Sequence, residues 1–546
     1  MSRREQVFAG WGEPGAGPSL PDHAGEFLRT ALGVSGAVVS RPVAIEDVRL
    51  PAAALLAPAR ERLAGIVGEA HVRGDDRSRI LRSAGKSYLD LLALRSGALE
   101  AAPDAVVAPG SAAEVQAVLY ACSEAGVAVV PFGGGTSVVG GVAPERGRLD
   151  AVVSLDLGRL DRVIDLDERS RVARLEPGIR LPEADHVLGA RGFTLGHHPQ
   201  SYEWATVGGC VATRSAGQAS TGFGRIEDHV VGVRCATPSG ALSTLTVPAT
   251  AAGPSLREVV VGSEGTVGVI CEVALSVLPV AAERRYEAWF FHSFAEGWDA
   301  LRGLVQDGRA PDVARLSDET ETRLSVGLAG AGGLEAKAGA GVLRARGYAD
   351  GSLLIAGWEG TAQDVARRRA TAVRRLRRAG GFSVGRGPGE VWRAGRYTAP
   401  HLRDDLMDRG VLVETLETAT TWSNLDRAHR AVGEALRGAL GALGTPPVVA
   451  CHVSHLYPAG ASLYFTVLAR RHPEDPVGQW RGAKEAATRA IADAGATLTH
   501  HHAVGSDHAP HLGNEVGHLG LELLRAVRER CDPAGIMNPG KLLPAP

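Results

Sequence analysis

After an irregular leader, the chain alternates between short apolar runs and longer segments in which apolar residues recur at helical spacing. The short apolar run at residues 105–107 predicts a strand. Ser111, with Glu114 three residues later, predicts a capping box at the start of a helix that ends at Gly126. A second apolar run, 127–131, leads directly into a glycine-rich loop. This order of strand, helix, strand and glycine loop is typical of an α/β nucleotide-binding unit.

The remaining hydrophobic pattern predicts strands and helices along most of the chain. Alternate apolar positions at Val273, Leu275 and Val277 mark one of the clearer strands. Turn residues and glycines separate the runs. The predicted strands are 152–154, 163–165, 171–175, 230–236, 267–278, 286–291, 459–468 and 497–502, and the predicted helices are 81–95, 361–379, 425–443, 477–494 and 512–530.

These elements predict an α+β protein of four segments. Residues 1–103 form an N-terminal helical segment, and residues 104–280 form a cofactor-binding domain. Residues 281–500 form an α+β cap or substrate domain. Residues 501–546 form a C-terminal tail that is expected to pack back on the cofactor-binding domain.

Composition narrows the class of protein. Of 546 residues, 45% are hydrophobic and 22% are charged, so a buried core is expected. A net charge of -2 gives no sign of a nucleic-acid partner. The six cysteines are scattered without a C-x-x-C pair, which predicts neither a zinc site nor disulfides and fits a cytoplasmic location. Residues 1–17 lack the apolar core of a signal peptide, and no apolar run approaches the roughly 18 residues that a membrane-spanning helix needs.

Three glycine-rich motifs lie at residues 131–137, 206–213 and 261–268. Without Cβ atoms, successive glycines let backbone N–H groups converge on an anion. The first motif is neither G-x-G-x-x-G nor a Walker A loop, because no lysine follows it. Each motif alone is equally compatible with an ordinary turn. Three of them in one α/β segment indicate a bound cofactor.

In this order, the three motifs resemble the FAD-binding domain of the vanillyl-alcohol-oxidase superfamily, and the resemblance implies the two-part FAD-binding domain of that type with its cap. It implies that the first loop holds the pyrophosphate and that the later turns line the ribityl chain and the isoalloxazine. Many members attach the flavin covalently through a histidine of the first loop, where this chain has Thr136 and Ser137, so non-covalent FAD is expected. The implied cofactor-binding residues are Pro131, Phe132, Gly133, Gly134, Gly135, Thr136, Ser137, Gly208, Gly209, Thr213, Ser215, Glu264, Gly265, Val269 and Ile270.

Motifs at 195–201, 459–465 and 499–505 narrow the resemblance to the alkyldihydroxyacetonephosphate synthase family, over residues 80–543. The resemblance implies that Tyr464 is an acid, that Arg315 faces flavin and substrate, and that Arg403 holds substrate. It places His197 and Thr206 beside the flavin. From the residues alone, Tyr464 is by default a half-buried aromatic, and the preferred interpretation of Arg403 is a surface arginine paired with a neighbouring aspartate. A buried guanidinium at Arg315 would require an anionic partner.

One departure from the family concerns the substrate. By the resemblance, bacterial relatives usually carry Arg-Pro-Trp where this chain has Ala509, Pro510 and His511. An arginine lost near the site weakens the inference that the substrate carries a phosphate. Arg403, Arg470 and Arg471 are the candidates that could compensate.

Three adjacent histidines, His500, His501 and His502, form the main acid–base candidate. On the predicted strand 497–502, His500 and His502 would face one side and His501 the other. Imidazoles supply acid and base near neutral pH, and the resemblance implies catalytic roles for all three. The alternatives are a metal site or an inert polar strand. Because Asp507 is the only nearby carboxylate or thiol, acid–base catalysis is preferred and no metal is expected.

The resemblance implies a redox-neutral, FAD-dependent exchange of the acyl group of 1-acyl-dihydroxyacetone phosphate for a long-chain alcohol. The alternative activity is that of an FAD-linked 2-hydroxy-acid dehydrogenase or oxidase. The expected partner is a small lipid substrate, with no nucleic acid. A homodimer in the cytoplasm is expected, and a peripheral membrane contact is compatible with it.

Overall fold

The chain divides into two compact units in the computed structural model, which describes residues 5–15, 17, 19–21, 23–328 and 341–544. The first unit comprises Pro42–Gly217, Gly224–Val280 and His501–Pro546. The second unit comprises Met1–Arg41, Gln218–Phe223 and Ala281–His500. Residues 1–103, expected as one segment, are therefore divided between the units, and part of the leader 1–17 lies outside the described residues.

A four-stranded sheet in the first unit contains the predicted strand–helix–strand order. Ala105–Val107 and Val127–Phe132 both pair in parallel with Ala151–Asp156, and Val72–Arg73 pairs antiparallel at the edge. The helix Ala112–Ala125 joins the first two strands. The side chains of the three parallel strands are buried because helices cover this sheet.

The ends of this helix show how local signals act. Ser111 Oγ accepts a hydrogen bond of 3.1 Å from Glu114 N, and Gly126 ends the helix at φ 64°. The Glu114 carboxylate accepts from Gly110 N at 2.8 Å instead of from Ser111 N. The helix boundary was predicted correctly, but only half of the predicted capping box forms.

A five-stranded antiparallel sheet forms the second layer of the first unit, around its own apolar core. Two short strands, Phe193–Thr194 and Leu278–Pro279, pair separately. In spatial order, the five strands are Val163–Asp167, Val172–Leu175, Val269–Ser276, Val230–Thr237 and Gly240–Ser243. The helices of the unit are Ala57–Val67, Asp76–Ile80, Tyr88–Ser96, Ala112–Ala125, Leu181–Gly189, Val207–Ala212, Ile226–His229, Arg257–Val260 and Leu512–Cys531.

The predicted helix 81–95 is wrong in its first half. The helix begins only at Tyr88, after a capping box between Ser87 and Asp90. Gly85 lies against the first glycine loop, where a Cβ atom would collide with the carbonyl oxygen of Ser137. A contact distant in sequence therefore replaces the first helical turns.

The second unit is built on one antiparallel sheet. Seven strands lie in the order Phe382–Gly385, Glu283–Phe291, Ser352–Gly360, Val313–Ser317, Val448–Val453, Gly460–Arg470 and Val411–Thr421, with Leu456–Tyr457 paired to Gly460–Arg470. The helices are Ala24–Leu32, Ser220–Phe223, Phe294–Gln306, Glu319–Leu328, Ala362–Arg378, Gly387–Gly395, Ala399–Asp408, Leu425–Ala442 and Pro476–Asp493.

The predicted strand 497–502 does not form, and the backbone there is irregular. Isolated hydrogen bonds join it to the sheet edge, from Thr497 N to Ala419 O at 3.0 Å and from His500 N to Glu417 O at 3.3 Å. The expectation that His500 and His502 share a strand face is therefore wrong. Among the residues that the structure describes, no helix is both long and apolar enough to cross a membrane.

Candidate active site

Four polar residues form a row across adjacent strands of the second unit. Glu417 is directly opposite Tyr464, and Tyr464 is opposite His452. His452 is opposite Ser317, and Arg315 is two residues before Ser317 on the same strand. Paired residues, and residues two apart on one strand, share a face of a sheet. The register therefore places Arg315, His452, Tyr464 and Glu417 on one face.

Arg315 has the anionic partner that its apolar flanks require. Its Nη2 atom donates to Glu321 Oε1 at 2.6 Å, and the Arg315 side chain remains 28% exposed. His452 Nδ1 is 3.0 Å from the same carboxylate oxygen. Arg315 and His452 lower the pKa of the buried Glu321 carboxyl to about 2. A carboxylate that is ionised at neutral pH therefore joins the guanidinium and the imidazole.

Tyr464 is a half-buried side chain whose ring stacks on His452. The ring centroids are 4.8 Å apart and the rings are inclined by 20°. Burial of the hydroxyl, together with the negative charges of Glu417 and Glu414, raises the pKa of Tyr464 to about 12. Tyr464 therefore remains a proton donor throughout the neutral range.

A second group of side chains surrounds Glu417 at the end of the row. Its Oε1 atom is 3.5 Å from His500 Nδ1 and 3.9 Å from His455 Nε2. His500 Nε2 lies 2.7 Å from the hydroxyl of Tyr457. His500 is thus held between a carboxylate and a phenol, an arrangement that fixes the ring and can transfer a proton.

The same group contains the residue types that bind zinc. The ligand atoms of Glu417, His455 and His500 lie within 4.8 Å of one another. However, the rings of His455 and His500 are stacked, with centroids 4.9 Å apart and 26° between their planes. A shared ion must lie near the plane of each ligand ring, and stacked rings do not direct their lone pairs to one point. This geometry favours acid–base chemistry over a metal centre.

In the first unit, the structure brings the three glycine motifs together. A Cβ atom at Gly133 would collide with the side chain of Thr206, and one at Gly134 with the carbonyl oxygen of Trp204. A Cβ atom at Gly265 would lie 2.9 Å from Pro131. The glycines therefore permit close packing between loops as well as backbone access to a ligand.

The first loop offers unsatisfied backbone donors. Within the described part of the chain, the N–H groups of Gly134, Gly135 and Thr136 donate to no protein acceptor, although Gly135 is buried and has φ 65°. Buried backbone N–H groups normally have a partner. Ser137 Oγ closes the loop by accepting from Gly141 N at 2.9 Å. A pyrophosphate would supply the acceptors that this loop lacks.

The second motif is a short helix instead of the expected turn. Val207–Ala212 begins at Thr206, whose hydroxyl accepts from Gly209 N at 3.3 Å. Gly208 is buried against Pro177, and Gly209 is exposed. The Thr213 hydroxyl donates to Gly209 O at 2.9 Å, and Thr213 is the residue that follows the end of this helix.

The third motif is held by the C-terminal segment of the same unit. Glu264, at φ 54°, accepts from Val504 N at 2.8 Å and from Gly505 N at 2.7 Å. Asn538 Nδ2 donates to Glu264 O at 2.7 Å. Val269 and Ile270 follow as buried residues of the next strand. The carboxylate of Glu264 thus connects the third motif to the C-terminal tail.

His197 is almost completely buried in the first unit. Its Nε2 atom is 3.1 Å from Ser215 Oγ. Burial and the neighbouring imidazoles of His229 and His198 hold the pKa of His197 well below its ordinary value, and His501 adds to the effect. His197 is therefore a neutral imidazole.

The predicted histidine run and Arg403 have different surroundings. His500 belongs to the second unit, while His501 and His502 belong to the first, where their rings are 4.8 Å apart and nearly perpendicular. Arg403 lies in the helix Ala399–Asp408 of the second unit.

Four members of the site were missed by the sequence reasoning: Glu321, His452, Glu417 and His455. Two of them had a local signal, because His452 interrupts the apolar run 448–453 and His455 follows two residues after its end. Glu321 and His452 are 131 residues apart and meet only through the sheet.

Comparison with known proteins defines the class. Residues 103–246 match the family described as FAD binding domain. Residues 280–542 match the family described as FAD linked oxidases, C-terminal domain. With the glycine loop that presents unpaired N–H groups, these matches make the chain an FAD-binding protein of the FAD-linked oxidase type, and they confirm FAD as the cofactor.

More similar relatives narrow the class further. The alkyldihydroxyacetonephosphate synthase of Trypanosoma brucei brucei is 31% identical over 510 residues, which are 91% of this chain and 82% of that protein. A solved structure of an alkyldihydroxyacetonephosphate synthase is 27% identical with a TM-score of 0.85, and the match covers 98% of each chain. This chain belongs to the alkyldihydroxyacetonephosphate synthase family.

A more distant structure supports the fold alone. The 4-ethylphenol oxidase from Gulosibacter chungangensis is 16% identical with a TM-score of 0.66, covering 89% of this chain and 97% of that one. The predicted fold, an FAD-binding domain of the vanillyl-alcohol-oxidase type with a cap, is confirmed by these matches.

Proposed function

We propose that this chain exchanges the acyl group of 1-acyl-dihydroxyacetone phosphate for a long-chain alcohol, as an FAD-dependent alkyldihydroxyacetonephosphate synthase. The observation that carries the proposal is the row of a guanidinium, an imidazole, a phenol and a carboxylate on one sheet face, in a chain of this family. The exchange needs an acid, a base and a partner for a substrate anion, and this row with its neighbouring histidines offers all three.

The roles follow from charge and protonation. Tyr464, with its raised pKa, donates a proton to the departing carboxylate. Arg315 uses one of its five donors on Glu321, which leaves others for an anionic substrate group. His500 accepts a proton from the substrate carbon or the alcohol, and His501 and His502 are further candidates for that role.

FAD would be held without a covalent bond by the loop of Gly133–Ser137. This assignment rests on the unpaired N–H groups of that loop and on the absence of a histidine between Pro131 and Ser137. FAD supplies the electron-accepting ring on which the redox-neutral exchange depends. His197 and Thr206 are proposed to line the flavin, with residues 104–280 as the FAD-binding domain and residues 281–500 as the substrate domain.

The test is an exchange assay on the purified yellow protein. The protein is mixed with acyl-dihydroxyacetone phosphate and a labelled long-chain alcohol, and the ether product is detected by mass spectrometry. We expect labelled product without anaerobic bleaching of the flavin. Bleaching by a 2-hydroxy acid, without any exchange, would establish the dehydrogenase alternative instead.

The same assay tests whether the enzyme recognises a phosphate on its substrate. The family resemblance implies an arginine where this chain has Ala509, and Arg403, Arg470 and Arg471 are the proposed replacements. A dephosphorylated acyl ketone should exchange much more slowly than the phosphate. Equal rates for the two substrates would show that the enzyme does not recognise the phosphate.

Finer parts of the proposal concern assembly and location. Leu519 and Leu523 on the helix Leu512–Cys531 are 67% and 61% exposed, which supports a homodimer. A cytoplasmic enzyme with a peripheral membrane contact is consistent with a lipid substrate. Sedimentation should show a dimer, and flotation with phospholipid vesicles should show weak binding; a monomer that stays off the vesicles would contradict both.

A further inference from the structure

We propose that Glu321 is a positioning residue that holds the Arg315 guanidinium and orients the His452 imidazole against Tyr464. This inference rests on the proposed function, because it assigns a role to a residue behind the proposed acid and anion partner. Neither Glu321 nor His452 has a sequence motif that marks it as catalytic.

The carboxylate is itself held in place. Glu321 lies in the first turn of the helix Glu319–Leu328, where its N–H donates to Asp318 Oδ1 at 2.7 Å. Its side chain is 9% exposed. One oxygen, Oε1, receives Arg315 Nη2 at 2.6 Å and lies 3.0 Å from His452 Nδ1. The backbone of Glu321 is thus anchored by Asp318, and its side chain is buried. Its carboxylate therefore fixes the orientation of the Arg315 and His452 side chains.

The protonation states determine the direction of these contacts. An ionised carboxylate can only accept hydrogen bonds, so the proton of the neutral His452 ring must sit on Nδ1. Burial and the charge of Arg315 lower the pKa of His452, so the ring is neutral at physiological pH. Glu321 therefore selects one tautomer of His452 and leaves Nε2 without a proton.

This arrangement acts on Tyr464 through two paths. The His452 ring lies parallel to the Tyr464 ring and limits its orientation. The charged groups that act on the Tyr464 hydroxyl are Glu417, Glu414 and Arg315. Without the negative charge of Glu321, less negative charge would offset Arg315, and the phenolate form of Tyr464 would be more favourable than in the wild-type protein.

The experiment compares Glu321→Gln with Glu319→Gln in the exchange assay across pH. Glu319 is on the same helix and accepts from Phe294 N at 2.8 Å, so it is a matched control for loss of one carboxylate. We expect Glu321→Gln to lower kcat/KM about 10- to 100-fold, the range for a hydrogen bond to a charged group, and to move the alkaline limb to lower pH. Glu319→Gln should retain the wild-type profile.

Two further outcomes separate a positioning role from a structural one. Glu321→Asp, which keeps the charge, should restore the position of the alkaline limb even if the rate stays reduced. An unshifted pH profile in Glu321→Gln, with only a lower melting temperature, would overturn the inference and leave Glu321 as a structural ion pair.

A spectroscopic measurement keeps this inference distinct from the proposed function. In protein labelled with 15N-histidine, the ring N–H proton of His452 should appear far downfield, because it donates to a carboxylate, and it should move upfield in Glu321→Gln. His452→Asn identifies the signal. If the wild-type protein shows no exchange, the proposed function fails while this signal still tests the contact. If exchange occurs and the signal is absent or insensitive to Glu321→Gln, the positioning role is refuted.

Discussion

Replacing Tyr464 by Phe removes one hydroxyl and leaves the ring that stacks on His452. Loss of one hydrogen bond should reduce the free energy of unfolding by only about 1 kcal/mol. Loss of a general acid should slow exchange by about 10²–10⁴-fold, which is about 3–5 kcal/mol in the activation free energy. Catalysis should therefore suffer much more than stability.

The assay measures ether product per FAD-loaded, folded molecule and follows thermal unfolding in parallel. Tyr348→Phe is the control, because its hydroxyl donates one hydrogen bond, to Gly380 O at 2.7 Å, outside the proposed site. Wild-type enzyme should not lose activity through ionisation of Tyr464 until the pH approaches its pKa of about 12. Exchange at the wild-type rate in Tyr464→Phe would refute the assignment of Tyr464 as the acid.

Four other changes test the remaining assignments. Arg315→Lys keeps the charge but loses the planar fork, so most exchange activity should disappear with an unchanged circular dichroism spectrum; near wild-type turnover would exclude Arg315 from the site. In Gly134→Ala, the added Cβ would collide with the Trp204 carbonyl, so both flavin absorbance and melting temperature should fall, and normal values of both would contradict the packing. His500→Ala should slow exchange by about 10²–10⁴-fold, whereas stoichiometric zinc in the wild-type protein would instead assign the histidines to a metal. Burial raises the folded-state pKa of Glu264 from 4.5 to about 7, so the contribution of this carboxyl to stability is complete below about pH 4.5 and is lost as pH rises through 7; urea unfolding of Glu264→Gln should lack that decline.

Local sequence signals determined much of the secondary structure. Ser111 and Gly126 mark the ends of a helix, because a side-chain acceptor and a left-handed glycine act within one turn. The strands Val127–Phe132 and Gly460–Arg470 also follow from their apolar runs. In these segments, local preference and tertiary packing favour the same conformation.

Local signals failed where a distant segment supplies the hydrogen bonds. The run 497–502 contains the β-branched residues Thr497 and Thr499, yet it joins the edge strand Val411–Thr421 through isolated hydrogen bonds and forms no strand. The first turns of the predicted helix 81–95 do not form, because Gly85 lies against Ser137 of the first glycine loop. Both outcomes depend on residues far along the chain, which no local pattern contains.

The sequence by itself indicated a bound cofactor through three glycine motifs in one α/β segment, and the family resemblance of those motifs implied that the cofactor is FAD. It also identified Arg315, Tyr464 and the histidines as candidates through family resemblance. Only the tertiary structure decided what surrounds them. Glu321 meets His452 from 131 residues away because its helix directly follows the strand Val313–Ser317, which pairs antiparallel with the strand of His452. The pKa shifts at the site arise from burial and charges that come together only in the folded chain.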